Sequence, residues 1–287
     1  MSSNLDNTSI KPLEELTLMD DYMFSAVMRD KENLKPLLEY ILNVKIKNIE
    51  FVEPQRTEKE GYQSHGIRLD LYVEDDEGVI YNVEVQTSSK KNLPKRMRYY
   101  QSVIDVEILA PGVDYDSLKK SYVIFICNYD PFKQGRVVYT FENRCIEKNF
   151  AFGDETRKVI VNTKGETGAA GSELEDLIVY LEKGNVTGVY SRQLDDAVKR
   201  VKASEERRHE YMVMMIRDME KIEEGKEIGK EIGKEIGKDI GRILGTVETM
   251  RDFGADDQDI VLRLMDKYHL SRDEAERYVY TETVNAG

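Results

Sequence analysis

Polar and apolar residues alternate along two short runs separated by an acidic turn, and this period of two predicts a β-hairpin. In the first run, Asp70 lies between leucines that point to the opposite face of the strand. In the second run, Asn82, Glu84 and Gln86 share one face, and apolar residues take the other. A three-residue loop over residues 76–78, with glycine in the left-handed position, predicts a register that sets Asp70 opposite Glu84. Their Cβ atoms are then about 4.5–5.5 Å apart.

Apolar residues at helical spacing predict helices on both sides of this hairpin. One helix, capped by Thr17 or Asp20, is expected to run to about residue 42 with a break near residues 30–33, and a strand is expected over residues 44–52. After the hairpin, a helix is expected over residues 94–109, where a proline suits the first turn. A strongly apolar run over residues 121–128 predicts a buried strand.

The rest of the chain is expected to hold two further strands and then only helices. The strands are expected over residues 135–141 and 158–162, and the helices over residues 173–183 and 191–224, before a C-terminal helical pair in which Ser271 caps the second helix. The domains expected from these patterns are an N-terminal core (13–165), a helical extension (172–224), a tetrapeptide repeat (225–245) and a small helical hairpin (246–287).

The tetrapeptide Gly-Lys-Glu-Ile recurs with small changes over residues 225–245. Four residues turn a helix through about 400°, so the isoleucines follow a stripe that advances by about 40° per repeat. Each interior glycine costs about 1 kcal/mol relative to alanine, and pairs such as Glu227 with Lys230 return only a few tenths of that. The segment is therefore expected to be either a helix that needs a partner on its isoleucine face or a hinge. We expect a homo-oligomer formed through the C-terminal helices.

The predicted proximity of Asp70 and Glu84 raises the question of how their negative charges are compensated. Two carboxylates at this distance repel each other unless a cation lies between them, and the adjoining strand face carries no lysine or arginine. Carboxylate oxygens are the preferred ligands of hard cations such as Mg²⁺ or Mn²⁺, so the pair is a candidate metal site. The alternative is a solvated strand face, since exposed strand faces are normally polar.

Composition limits the class of protein. The chain has 287 residues, of which 40% are apolar and 34% charged, which predicts a soluble protein with a sizeable core. No apolar run approaches a membrane span and the N-terminus lacks a signal pattern, so we expect a cytoplasmic protein with no membrane partner. Two cysteines and three scattered histidines do not make a zinc framework, and Cys127 is expected to be a core residue.

The formal net charge of −13 opposes nonspecific binding of nucleic acid, which depends on neutralising phosphates. A DNA-binding role therefore requires a local basic surface. Residues 90–98 provide one, with five basic residues and no acidic residue. They are Lys90, Lys91, Lys95, Arg96 and Arg98. The alternative for this stretch is an ordinary solvated helix start.

An aspartate followed, one hairpin later, by Glu-Val-Gln resembles the signature of the PD-(D/E)xK nucleases, in the variant in which glutamine replaces the lysine. The residues around the hairpin, and the Arg-x-x-Tyr-Tyr pattern that begins at Arg96, are similar to the recombination-promoting nuclease and transposase branch of that superfamily. The resemblance covers roughly residues 13–150. It implies an α/β fold with a restriction-endonuclease-like αβββαβ core and a mixed sheet, followed by a helical C-terminal extension.

The resemblance also implies a function, that of a metal-dependent DNA endonuclease of low sequence specificity. Asp70 and Glu84 are expected to bind Mg²⁺ or Mn²⁺, with Gln86 beside the attacking water. A neutral amide orients water but takes no proton, so the metal must lower the pKa of that water. The residues expected to contact phosphate or DNA are Lys90, Lys91, Lys95 and Arg96, and the candidate accessory residues are Asp20, Asp21 and Tyr100. For the two aspartates the alternative is an acidic first helical turn, which the helix dipole favours, and for Tyr100 it is core packing.

Two alternatives without catalysis remain open. One is a catalytically weak or inactive nuclease-like domain that binds DNA or protein while the tail mediates assembly, which the glutamine and the acidic charge favour. The other is a structural oligomer whose acidic face is incidental. The Asp70 and Glu84 pair discriminates between these functions, because a domain that only binds has no need of both carboxylates.

Overall fold

The computed structural model describes residues 11–52, 71–87, 89, 92–109, 111–169 and 172–280. The chain divides into two compact units, the first ending at Met212 and the second beginning at Val213. The first unit contains a mixed sheet covered by helices, and the described part of the second unit is helical.

Within the described residues, six strands form one mixed sheet in the order β1-β2-β3-β4-β6-β5. The strands are β1 (Ile49–Phe51), β2 (Leu71–Asp75), β3 (Ile80–Gln86), β4 (Ser121–Cys127), β5 (Val138–Phe141) and β6 (Thr156–Asn162). The β3–β4 and β4–β6 pairs are parallel and the other pairs are antiparallel. A parallel pair needs a crossover connection, and a helix between β3 and β4 supplies it.

The helices of the first unit pack on both faces of this sheet. They are α1 (Asp21–Met28), α2 (Lys31–Leu42), α3 (Leu93–Ile108), α4 (Ser172–Lys183) and α5 (Val189–Ala203). A long helix, α6 (Glu205–Asp252), continues into the second unit, where α7 (Asp257–Tyr268) and α8 (Arg272–Tyr280) follow. The succession α2-β1-β2-β3-α3-β4 confirms the predicted α/β class and the αβββαβ order of the core.

The central hairpin has the predicted loop. Gly78 takes a φ of +80°, which a side chain would strain, and the N–H of Asp75 donates to the carbonyl of Val79 at 3.0 Å. Leu71 pairs with Val83 across the two strands. The prediction that residue 70 lies opposite residue 84 assumed this same register.

Helix α3 covers one face of the sheet. Its buried residues recur at helical spacing and pack on inward side chains of β2, β3, β4, β5 and β6. The cluster comprises Tyr72, Ile80, Leu93, Met97, Tyr100, Ile104, Val123, Phe125, Cys127, Tyr139 and Ile160. Because side chains alternate along a strand, residues 82, 84 and 86 lie on the same face as Ile80 and therefore point towards α3. The fold thus places the polar face of β3 beneath a helix.

Three predicted boundaries were wrong. The strand expected over residues 135–141 begins only at Val138. The strand expected over residues 44–52 is observed over Ile49–Phe51, the residues aligned with β2, and one further hydrogen bond runs from the N–H of Val52 to the carbonyl of Tyr72 at 2.9 Å. The helix expected over residues 191–224 is divided at Ser204, which has an extended backbone with φ −83° and ψ 119°. The hydroxyl of Ser204 accepts a hydrogen bond from the N–H of Arg207 at 3.3 Å, so Ser204 ends α5 and caps α6.

The second unit has its own small core, in which the C-terminal end of α6 packs against α7 and α8. The buried residues are Ile243, Val247, Ile260, Val261, Leu264, Ala275 and Val279. The predicted capping box of α8 is confirmed, since Ser271 N–H donates to Glu274 at 2.9 Å and Glu274 N–H donates to the Ser271 hydroxyl at 3.4 Å. In the described part of the chain, no helix combines the length and the apolar character that crossing a membrane requires.

Residues 225–245 lie inside the continuous helix α6. Ile228, Ile232, Ile236 and Ile240 are exposed, whereas Ile243 is buried in the core of the second unit. A Cβ built at any of the six glycines meets nothing within 4 Å among the described residues. The predicted pairing of Glu227 with Lys230 is not observed within this helix. The described ion pairs nearest to the middle of the repeat are Lys226 with Glu223 and Arg242 with Asp239, at its two ends.

Candidate active site

The candidate site lies at the C-terminal end of β3. Glu84 is aligned with Phe125 and Gln86 with Cys127 of the parallel strand β4. The chain then enters α3. Leu93, the first residue of this helix, packs in the buried cluster between α3 and the sheet, so the first turn of α3 lies above the same strand ends. Functional groups commonly gather at the carboxyl ends of parallel strands, where crossover loops begin. The topology therefore brings the end of β3 and the start of α3 together.

The polar face of β3 is largely withdrawn from water. Asn82 is 0% exposed, Glu84 6% and Gln86 8%. The alternative of a solvated strand face is therefore wrong for the described part of the hairpin, because α3 covers it. A carboxylate in such surroundings interacts with nearby cations more strongly than it would in bulk water.

Arg96 supplies a cation at this position from the helix rather than from the strand. Its guanidinium donates a hydrogen bond from Nη1 to Oε1 of Gln86. The same guanidinium lies 5.4 Å from the centre of the Phe125 ring and 6.0 Å from that of Tyr100. Aromatic faces attract such a cation and restrict its movement. Oε1 of Gln86 is thus engaged by Arg96, and the remaining polar atom of this amide is the donor Nε2.

The first turn of α3 adds positive potential. It contains Lys95 and Arg96 and no acidic residue, and the side chain of Asn92 makes no capping hydrogen bond within the described structure. Cations at a helix N-terminus are unfavourable with respect to the helix dipole, so this arrangement is a stability cost in the absence of an anion. Lys95 and Arg98 are exposed, whereas Arg96 is half-buried against Gln86.

Several predicted site residues lie outside the described part of the chain. They are Asp70, Lys90 and Lys91. Among the residues that the structure does describe, no three histidine, cysteine, aspartate or glutamate side chains are grouped closely enough to hold a metal ion. The carboxylate of Glu84 is a hard oxygen donor and fits Mg²⁺ or Mn²⁺ in kind.

The candidate accessory residues have other described contacts. The carboxylate of Asp20 accepts hydrogen bonds from Lys11 at 2.8 Å and from the N–H and hydroxyl of Thr17 at 2.7 and 2.9 Å. Burial alone raises the pKa of Asp20, but these hydrogen bonds outweigh it and hold the pKa below its usual value. Asp21 lies in the exposed first turn of α1. Tyr100 is buried, and its ring packs edge-to-face on Phe125 at 5.3 Å, as the core-packing alternative predicted.

Cys127 has the predicted core role. It is fully buried beneath α3, and burial raises the pKa of its thiol to about 12. A thiol with this pKa is protonated at neutral pH and is a poor nucleophile there.

Two buried amides next to the site were not predicted. Neither polar side-chain atom of Asn82 has a hydrogen-bond partner among the described residues. Nε2 of Gln101, on α3, donates to the Ser121 hydroxyl at 2.7 Å and to Asp105 at 2.9 Å, while its Oε1 has no partner in the same part of the chain. Burial raises the pKa of Asp105. Strand alternation placed Asn82 on the polar face, but only the position of α3 over the sheet makes that face an interior one.

Comparison with protein families gives a match that agrees with this geometry. The model of a family described as "PD-(D/E)XK nuclease family transposase" matches residues 18–164, about half of the chain. Comparisons with curated proteins and with solved structures give no match. The matched range contains Glu84, Gln86 and Arg96, together with the strands and helices that position them. The chain therefore belongs to the PD-(D/E)XK nuclease family transposases.

Proposed function

We propose that this protein is a metal-dependent DNA endonuclease of low sequence specificity that acts in the cytoplasm. Family membership supports a nuclease that acts on DNA. The observation that carries the proposal is the arrangement at the end of β3, where Glu84 lies two residues from a Gln86 side chain held by the guanidinium of Arg96. A carboxylate and a fixed cation within one small, shielded region suit the cleavage of a phosphodiester.

In this proposal, Glu84 and Asp70 hold a divalent cation, Mg²⁺ or Mn²⁺. When bound, the cation supplies Lewis-acid chemistry and lowers the pKa of a water molecule towards neutrality. Glu84 fits this role because its carboxylate is shielded and lies on the strand face that leads to Gln86. Asp70 is assigned from the sequence and the predicted register.

Arg96 is proposed to hold the phosphate. A guanidinium is always protonated, so it cannot act as a base, but it donates to two oxygens of a phosphate at once. Its contacts with Gln86, Phe125 and Tyr100 fix it before any substrate arrives. A cation held in advance stabilises the charge that develops on the phosphate in the transition state. Gln86 is proposed to orient either Arg96 or the attacking water.

The remaining DNA contacts are proposed to come from the basic segment at the start of α3. Lys90, Lys91 and Lys95 add charges that bind the phosphate backbone, and backbone contacts carry no sequence information. This accounts for the low specificity. Cutting both strands requires two sites, and we propose that association of two chains through the C-terminal helices provides them.

The test is cleavage of supercoiled plasmid by the full chain with Mg²⁺ or Mn²⁺, with and without chelator. Glu84→Gln and Asp70→Asn are expected to lower the nicking rate by at least about a hundredfold, because each removes a metal-binding charge. Glu77→Gln is the matched control, since Glu77 is an exposed carboxylate at the far end of the same hairpin. Its rate is expected to be that of the unaltered chain.

Undiminished nicking by Glu84→Gln would contradict the proposed site. A folded chain that nicks with neither metal, but still binds DNA, would favour the catalytically weak or inactive binding domain instead. A gel-shift measurement in chelator distinguishes the two results, because DNA binding by the basic segment does not need the metal.

A further inference from the structure

We infer that α6 pairs with α6 of a second copy of this chain, in parallel, along the face formed by the isoleucines and glycines of residues 225–245. The isoleucines of this face are exposed in the single chain, with Ile228 50%, Ile232 52%, Ile236 54% and Ile240 37% accessible. Beyond them, the apolar residues of the same helix are covered by α7 and α8, beginning at Ile243. The inference deepens the proposed two-chain enzyme by giving the orientation of the two chains.

The four-residue period makes the surface of this helix unusually regular. Residues four apart form continuous ridges on a helix, and with a period of four each ridge carries one residue type over residues 225–238. Towards the C-terminal end of the repeat, Asp239, Arg242, Ile243 and Leu244 replace the residues of the repeating unit. Around the helix, the rows follow the order glycine, lysine, glutamate, isoleucine, about 90° apart at any height. The isoleucine row is thus a ridge beside a glycine groove. The lysine row borders the groove, and the glutamate row borders the ridge.

Two such helices fit together only in one of the two symmetric orientations. A two-fold axis along the helices places the left side of one face against the right side of the other, so that each isoleucine ridge meets a glycine groove. A two-fold axis across the helices places like rows together, so that ridge meets ridge and groove meets groove. Interlocking of four-residue ridges corresponds to a crossing angle of about −50°. Shape therefore selects the parallel pair.

The charges select the same orientation. In the parallel pair, the lysine row of one chain and the glutamate row of the other lie on the same side of the contact, whereas the antiparallel pair sets lysine beside lysine. These rows lie well to the side of the contact and in water, so screening limits their effect to a few tenths of a kcal/mol per pair. The fit of ridge and groove therefore contributes more to the free energy of association, and the charges oppose the wrong orientation.

Without a partner helix, the glycines lower the stability of α6 and provide no compensating contact among the described residues. Six glycines in this helix cost about 6 kcal/mol relative to alanine, and none of them makes room for any described atom of its own chain within 4 Å. A groove without Cβ atoms lets a second helix approach closely. The occupant is a second copy because the face is complementary to itself in shape and in charge.

The first experiment measures self-association of the full chain by sedimentation, without DNA or metal, so that its result is independent of cleavage. A reversible dimer is expected. Replacing Ile232 and Ile236 by alanine is expected to raise the dissociation constant about a hundredfold, because buried methylenes are lost from both chains. Leu262→Ala is the matched control, since Leu262 is 53% exposed on α7, away from the face. It is expected to leave the dimer unchanged.

The decisive variant combines Gly229→Ala and Gly233→Ala. Alanine favours the helix of the single chain, so circular dichroism is expected to show equal or greater helicity, yet the dissociation constant is expected to rise at least about tenfold because the groove is filled. Loss of association in a more helical chain does not come from misfolding. Equal or tighter association of this variant overturns the inference, as does an unaltered chain that stays monomeric at high micromolar concentration.

Orientation is measured with spin labels on cysteines placed at Glu224 or at Arg242, after both native cysteines, Cys127 and Cys145, have been replaced by alanine. The two positions lie about 27 Å apart along the helix. A parallel pair gives a short distance when both chains carry the label at the same position. Mixing the two singly labelled chains then adds a long distance, which comes from the mixed dimers. The reverse pattern shows an antiparallel pair and overturns the inference, whatever the plasmid assay gives.

Discussion

The hydrogen bond between Arg96 and Gln86 shows where the positive charge of this site is located. In the signature that the chain resembles, a strand lysine occupies the position of Gln86. Here the strand offers a neutral amide, and the cation reaches it from one turn into α3. In the proposed site, Arg96 supplies from α3 the positive charge that the lysine of the signature supplies from the strand. Activity is therefore expected to depend on Arg96.

This relocation predicts a non-additive pair of substitutions. Gln86→Lys alone places an ammonium against the guanidinium of Arg96, and like charges at that distance repel. Arg96→Gln alone removes the cation. Each is expected to slow plasmid nicking by at least about tenfold, whereas the double variant restores one cation and is expected to exceed both single variants. Arg98→Gln combined with Gln86→Lys is the control, because Arg98 is exposed and its loss relieves no repulsion. Independent effects that simply add would contradict the relocation.

The two buried amides, Asn82 on β3 and Gln101 on α3, are predicted to have opposite effects on stability when they are replaced by leucine. Asn82→Leu removes two polar atoms that have no partner among the described residues, so the free energy of unfolding is expected to stay equal or to rise by about 1 kcal/mol. Gln101→Leu leaves the buried Ser121 hydroxyl without its donor and is expected to lower that free energy by about 1–3 kcal/mol. Urea unfolding of both variants checks this. A loss above about 1 kcal/mol in Asn82→Leu would show that its amide is satisfied.

The sequence predicted which face of β3 carries the candidate residues Glu84 and Gln86, but it did not predict their contacts. Strand alternation is a local property, and it was enough to place Glu84 and Gln86 on one face. The bond from Arg96 to Gln86 depends on how α3 crosses the sheet, which no local pattern contains. For the same reason the burial of Asn82 was missed. A polar residue on an alternating strand looks the same whether water or a helix lies above it.

Among helices and strands, prediction succeeded where a pattern was long and uninterrupted. The apolar run of β4, the hairpin and α3 were all predicted to within a residue or two. Two of the three errors arose where the outcome depends on a partner. The strand expected over residues 44–52 is only as long as its pairing with β2 allows. At Ser204, a hydroxyl that caps α6 ends a helical pattern that continues in the sequence.

The junction between α4 and α5 predicts a pH dependence. The buried carboxylate of Asp176 accepts hydrogen bonds from the hydroxyl of Thr187 at 2.6 Å and from the N–H of Ser191 at 3.0 Å. Burial alone would raise the pKa of Asp176, but these donors hold it below the usual value. A lowered pKa in the folded state means that the stabilisation is complete above the unfolded pKa of about 3.9 and is lost as the pH falls through the folded pKa.

Asp176→Asn is therefore expected to lower the free energy of unfolding by about 1–3 kcal/mol at pH 7. The difference from the unaltered chain is expected to shrink below about pH 4, where Asp176 of the unfolded chain becomes protonated, and to vanish below the lower pKa of the folded state. Urea unfolding at several pH values measures both effects. Glu175→Gln, one position earlier and half-buried, is the control and is expected to follow the unaltered chain at every pH. A difference that is constant with pH would contradict the role of the charge.

The charge of the entire chain limits how it binds DNA. With a formal net charge of −13, the proposal assigns the neutralisation of phosphates to the local basic segment of residues 90–98. Five basic residues correspond to a slope of log K against log salt no steeper than about −4.5 per chain. Gel shifts with a short duplex in chelator, at several salt concentrations, measure this slope. Lys95→Gln is expected to make it shallower by about 1, and Lys148→Gln, exposed on a distant loop, is expected to leave it unchanged. A steeper slope would mean that a second binding surface exists.

The strict period of α6 bears on how this protein can change over evolutionary time. Tandem copies of a twelve-nucleotide unit are readily gained or lost during replication. Each copy encodes four residues, which form slightly more than one turn of the face of isoleucines and glycines. Adding one lengthens the helix by about 6 Å and rotates whatever follows by about 40°. Every isoleucine nevertheless stays in its own row, so the face of isoleucines and glycines becomes longer and remains continuous. Descendants that differ only in copy number would then share one mode of pairing while spanning different lengths.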